Sequence, residues 1–331
     1  MSAERPLIID GLQYCNWSPE VFAEMDAGGV TCVHVTICYW ETLRETIANI
    51  SAWNLRFESR AGRLIHVRTA EDVRRAQAEG KTGIVFGAQN CSPIEDDIGL
   101  VQVMHDLGLR FMQLSYNNQS LLATGCYEDE DSGVTRMGRQ VIKEMNRVGL
   151  VVDMSHSAER STLEAMEISE RPIAITHANP AFWYAARRNK SDNVLKALAE
   201  SGGILGLSLY PHHLKDGTDC TLESFCEMAA RAAELMGADR IGLGSDLCQG
   251  QPNSVVEWMR NGRWSKVLDY GEGSQANAGF PAQPDWFRDN RDFGNVAEGL
   301  RTAGFTDGEV AGIMGTNWLS FFESSFGPAG T

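Results

Sequence analysis

Basic residues are scarce in this chain. Only 29 Lys and Arg stand against 44 Asp and Glu, a formal net charge of −15. Gripping a phosphate backbone needs a basic face, so no nucleic-acid partner is expected. Long apolar runs are also missing. No stretch approaches the roughly 20 residues of a membrane-spanning helix, so no membrane partner is expected. The opening MSAERPLIID lacks a basic segment followed by an apolar core. No secretory signal is visible, and the default expectation is a cytoplasmic location. The eight cysteines contain no C-x-x-C pair and read as reduced, mostly buried thiols. Neither G-x-G-x-x-G nor a P-loop follows any apolar run, so nucleotide binding has no support.

What remains is an ordinary globular composition over 331 residues, 43% hydrophobic and 22% charged. Eight compact apolar runs recur: 7–12, 30–37, 82–89, 109–116, 150–156, 172–178, 203–210 and 240–246. Their continuous apolar character suits strands buried on both faces. Helical patterns lie between them, several ending in Gly. Thr306 and Glu309 have capping-box spacing. The pair RLIHVRTA and EDVRRAQAEG, 63–80, reads as an inserted βα unit between the second and third runs. Eight strand–helix repeats predict an α/β fold, a (β/α)8 TIM barrel forming one domain over 1–331. An open doubly wound sheet is the structural alternative. Residues 247–292, rich in Gly, Pro, Asn and Trp, read as a long loop that covers an active site or forms a subunit contact.

In a barrel of this kind, chemistry sits at the C-terminal strand ends. There the sequence offers Leu12 and Tyr14, Gln89 and Asn90, Tyr116 and Asn117, His156, His177 and Asp246. Two of only seven histidines converging with a carboxylate make a candidate site and a reasonable divalent-metal shell. His34, His66 and His105 lie within runs and read as structural, whereas a rim role for His212 and His213 is weakly indicated.

Several segments together resemble the membrane (renal) dipeptidase family of zinc barrel peptidases. They include IIDGL, GAQN with SPIEDDIGLVQVMHDLGLRFMQLSYN, GRQVIKEMNRVGLVVDMSHSAE, PIAITHA, IGLGSD and MGTNWLSFF. The resemblance implies a two-zinc site, from which this chain departs. The family's first-zinc D-G-H-x-D has Leu12 and Tyr14 in place of His and Asp. Its bridging glutamate is Gln89 here, and its strand-four histidine is Tyr116. His156 and His177 match the second-zinc ligands. Arg188 matches the arginine that holds the substrate carboxylate, and Asp246 the aspartate that handles the proton.

An amide cannot replace a bridging carboxylate, so at most one zinc or similar ion is expected, the other site being lost. The expected shell is His156, His177 and Gln89, with Asp246 and water completing it. An empty site, with neutral histidines bonded to Asp246 or Tyr116, is the alternative. Cys15, Cys91 and Cys248 lie just past strand ends and read as packing thiols. The expected reaction is hydrolysis of a small dipeptide or related carboxylate-bearing amide. Asp246 and Tyr116 are catalytic in this reading, while Arg188, Tyr14 and Asn117 bind substrate. The rivals are a metal-free barrel that binds or isomerises an amino-acid derivative, and a catalytically silent paralogue. A homodimer is expected from the resemblance alone.

Overall fold

The computed structural model describes residues 6–327. Nine parallel strands form one sheet: β1 (Ile9–Gln13), β2 (Cys32–Cys38), β3 (Leu64–Val67), β4 (Thr82–Ala88), β5 (Leu109–Gln113), β6 (Val151–Asp153), β7 (Ala174–Ala178), β8 (Ile204–Leu207) and β9 (Ile241–Leu243). β1 pairs with both β2 and β9, and β2 pairs with β4. Eight strands therefore close into a ring with helices between them, the predicted (β/α)8 barrel. β3 is the ninth. It pairs with β4 from Thr82 to Val85, and β5 takes over that edge from Phe86. The inserted unit is thus β3 and the helix Ala70–Glu79, added outside the ring.

The strands are shorter than the apolar runs, for a local reason. β6 stops at Asp153, whose carboxylate accepts from Ser155 N (2.9 Å) and Thr176 Oγ1 (2.6 Å). β9 stops at Leu243, and Ser245 N turns to the Asp10 carboxylate (2.6 Å). Side-chain acceptors replace the ladder and end the strand. His156 and Asp246 therefore stand on loops three residues beyond their strands rather than at the last strand position.

The barrel is tightest around Thr176. A Cβ on Gly11, Gly206 or Gly244 would come within 2.9, 1.9 or 1.8 Å of the Thr176 carbonyl oxygen. Glycine is required there by close approach of the strands. Below them the indole of Trp318, fully buried on the helix Asn317–Ser325, donates to Leu243 O at 2.8 Å. The Thr306–Glu309 capping box is present. Helices end on left-handed Gly80 and Gly149, but Gly28 keeps a right-handed φ of −80°.

After β9, segment 247–292 carries the helix Asn253–Asn261 and the turn Asn290–Asp292. Its two ends are tied to β1: Tyr14 N donates to Leu247 O, and Gln13 Nε2 donates to Asn290 Oδ1, both at 2.8 Å. All eight cysteines are free thiols. Among the described residues, no helix is long and apolar enough to cross a membrane.

Candidate active site

Three acceptor atoms converge above the barrel. His156 Nε2 lies 2.9 Å from His177 Nε2 and 2.9 Å from Gln89 Oε1. Their outer partners fix which atoms are bare. Thr176 Oγ1 donates to Asp153, so it accepts from His177 Nδ1 at 2.8 Å, leaving His177 Nε2 without a proton. Asn117 Oδ1 accepts from His156 Nδ1 at 2.6 Å, leaving His156 Nε2 bare. Gln89 Nε2 donates to Thr36 Oγ1 (2.7 Å) and the Tyr39 hydroxyl (2.9 Å), so Oε1 turns inward. Burial, followed by the nearby Arg188 cation, pushes both imidazoles well below the ordinary histidine range and keeps them neutral.

Three lone pairs facing one another repel; the Arg188 guanidinium donates to His156 Nε2 at 3.1 Å and relieves part of that, and a cation among the three atoms would relieve the rest. The set therefore fits one divalent ion, with each ring oriented by a second hydrogen bond in the manner of metal-binding histidines. It fits without a carboxylate. No group of three or more His, Cys, Asp or Glu able to hold a metal occurs among the described residues. That corrects the expected His156–His177–Asp246 shell, because Gln89 rather than Asp246 faces the imidazoles. A neutral donor set does not offset the ion's charge, and Arg188 Nη2, 3.1 Å from His156 Nε2, opposes it further. Affinity below that of a carboxylate-containing site follows.

The first-zinc positions do something else. Leu12 is fully buried and has no metal-donor atom. Tyr14 packs edge-on against Tyr39 with centroids 4.7 Å apart, and it borders a separate cleft near Trp17 and Trp53. Tyr14, expected to bind substrate, does not line the cavity that holds His156 and Asp246. The β1–β2 register slips between Asp10 and Gln13, so simple alternation past Leu12 fails. Tyr116 stacks on His156 at 4.1 Å rather than accepting a bond from it.

The cavity beside these groups is lined by Tyr116, Asn117, His156, Arg188 and Asp246, and roofed by residues of 247–292. Asp246 has the left-handed φ of +57°, an uncommon conformation that turns the chain at the rim. Burial lifts its carboxyl to about 7, with Asp10 and Glu272 adding to the rise and Arg188 opposing it. Burial, then the charge of Asp246, holds the Tyr116 hydroxyl well above its usual range, so it stays a donor. Arg188 is 2% exposed, and its guanidinium is directed inward, to Ser155 O and His177 O. Cys15 and Cys91 are buried with raised thiol pKa values, as packing thiols would be. Cys248 lines the cavity, but its Sγ donates to Asp246 O at 3.4 Å.

Sequence reasoning missed the outer partners Thr36, Tyr39, Asp153 and Thr176, and the lid residues Arg260 and Glu272. It underrated His213, which lines the cavity with Nδ1 2.8 Å from Ser208 Oγ. The strings DMSH and THA did hold a signal: a hydroxyl directly before each candidate histidine, and a carboxylate, Asp153, three residues before the first.

Comparison with known proteins bears on the fold and the family. Residues 18–268 match the model of the membrane dipeptidase family, peptidase family M19. A dipeptidase of Claviceps purpurea (tcpJ) is 28% identical over 217 residues, 65% of this chain and 51% of the relative. One of Clonostachys rogersoniana (verJ) is 27% identical over 209 residues, 62% of this chain and 54% of the relative. The chain thus spans about half the length of these curated relatives. A crystal structure described as an amidohydrolase from Pseudomonas aeruginosa superposes with TM-score 0.91 at 34% identity, covering 97% of each chain. A Rhodobacter sphaeroides metallopeptidase, solved with a phosphinate mimic of the dipeptide L-Ala-D-Ala, reaches 0.80 at 17% identity. It covers 97% of this chain and 99% of its own, and at that identity it speaks for the fold alone. With three quarters of its length inside the family model, this chain belongs to the membrane dipeptidase family, peptidase family M19.

Proposed function

We propose that the chain is a hydrolase that cleaves the amide bond of a small dipeptide, or of a related carboxylate-bearing amide, using at most one divalent ion. The observation that carries this reading is the convergence of Gln89, His156 and His177 on one point beside the buried carboxylate of Asp246. The chemistry such an ion supplies when bound is Lewis acidity toward the scissile carbonyl. Asp246, with its pKa near neutrality, takes a proton from the attacking water and passes it to the leaving nitrogen. The Tyr116 hydroxyl, kept protonated, donates to the developing oxyanion. Arg188 adds positive potential at the cavity floor, and Asn117 fixes the His156 ring rather than touching substrate. Segment 247–292 shields these groups from bulk water. The dipeptidase names of the fungal relatives and the peptide mimic in the Rhodobacter structure support the substrate class.

The test is glycine release from L-alanylglycine by the zinc-loaded protein and its Asp246→Asn variant. The wild type should turn over, and the variant should be slower by roughly 10²–10⁴ in kcat, the usual contribution of a general base. A wild type inactive across a panel of dipeptides would sink the reading.

A further inference from the structure

A second cleft opens where the ends of β1 and β2 meet the helix Leu43–Ser59. None of its lining residues also lines the cavity of His156 and Asp246. Thr36 and Tyr14 belong to the partition between the two. Thr36 Oγ1 accepts from Gln89 Nε2 at 2.7 Å, and the Tyr14 ring packs on Tyr39. No Asp or Glu lines this cleft, and one arginine, Arg56, does.

Arg56 is half-buried, and its guanidinium lies 5.1 Å from the centre of the Trp53 ring. Among the described residues that ring is its contact, with no ion pair and no hydrogen bond beside it. Burial lowers its pKa, and no neighbouring carboxylate offsets the fall. Its neighbours one helical turn away are Ala52, Trp53, Ser59 and Arg60, so the helix itself supplies no acid. The chain holds 44 acidic residues against 29 basic ones. A half-buried arginine that none of those acids reaches is a cation open to an outside anion, and its fork matches a carboxylate.

The rest of the wall suits the same ligand. Asn49 Nδ2 donates to Ile37 O (2.8 Å) and Gln251 Nε2 to Tyr14 O (3.2 Å), and each amide keeps a second N–H. Tyr14 and Trp17 add half-buried rings. The free volume is about 200 Å³, against about 70 Å³ beside Asp246. Drug-sized ligands need roughly 300 Å³ or more, so a single ring with its acid group is the limit.

We propose that this cleft is a second ligand site, and that it takes a small aromatic carboxylate. Arg56 pairs with the carboxylate, and the ring lies against Tyr14 and Trp17. Resting on Trp53, the guanidinium is oriented before the ligand arrives and loses little freedom on binding. The assignment uses neither the metal position nor Asp246, so it stands or falls apart from the hydrolase reading.

Benzoate, benzamide and acetate are titrated into the full chain with zinc supplied, followed by calorimetry and tryptophan fluorescence. Benzoate should saturate at one per chain. It should bind at least about 10-fold tighter than benzamide, which lacks the charge, or acetate, which lacks the ring. Arg56→Gln should weaken benzoate about 10–100-fold, the scale of a hydrogen-bonded charge contact, and leave benzamide unchanged. Ala52→Glu is the second variant. Ala52 is exposed and one turn from Arg56, so the new carboxylate engages the guanidinium in place of benzoate and should weaken it as much. Benzoate binding that survives both substitutions lies elsewhere, the metal included, and overturns the assignment. Equal affinity for benzamide, or no saturation up to about 10 mM benzoate, overturns it as well.

Discussion

Thr176 decides which nitrogen of His177 faces His156. Its hydroxyl gives its proton to Asp153 and so must accept from His177 Nδ1. Thr176→Val is expected to weaken zinc binding about 10–100-fold, the usual effect of losing such an outer partner, as read by zinc titration. Unchanged affinity would mean that the relay does not orient the ring. Asp246 makes a second prediction at this scale. In the metal-free protein its carboxyl titrates at about 7, against 3.8 for an ordinary aspartate. The folded state therefore binds that proton more tightly than the unfolded chain. The associated stability is complete below the unfolded pKa and is lost as pH rises through about 7. Its size is at most about 4 kcal/mol. Asp246→Asn should flatten the fall in urea-unfolding free energy between about pH 4 and pH 7. An equally steep fall in the variant contradicts this. Of these residues, His156, His177, Gln89 and Asp246 were legible as polar groups ending apolar runs. Thr176 was not, because its role depends on a carboxylate one strand away. The place of Tyr14 was not legible either: the β1–β2 register shifts between Asp10 and Gln13, and the ring packs on Tyr39.

The elements hold the site through close approach. Gly11, Gly206 and Gly244 bring β1, β8 and the chain after β9 against the Thr176 carbonyl, one residue before His177. Gly244→Ala would set a methyl group 1.8 Å from that oxygen. β7 must then shift, at an overpacking cost of about 1–3 kcal/mol. The expected outcome is a lower urea midpoint together with weaker zinc binding, since His177 moves with its strand. Lower stability with intact zinc affinity would separate the packing from the site. The ring of eight strands and the extra unit of β3 were legible, because apolar runs and turn residues are local signals. The short length of β6 and β9 was not. It follows from Asp153 and Asp10 capturing hydroxyls and amides that alternation does not report.

At the scale of the whole molecule, a ring of strands presents three neutral acceptors and one carboxylate beneath a roof that carries its own pair of charges. The ring was legible from the sequence; the roof's chemistry was not, since Arg260 and Glu272 acquire meaning only from where segment 247–292 folds back. The central claim is that this rim offers one cation position, formed by Gln89, His156 and His177. Zinc titration of chelator-stripped protein, followed by calorimetry and metal analysis, tests it most directly. One ion per chain at saturation in the wild type, and none in His177→Ala, is the predicted result. Two ions per chain, no ion even at saturating zinc, or one ion that persists in His177→Ala would contradict it.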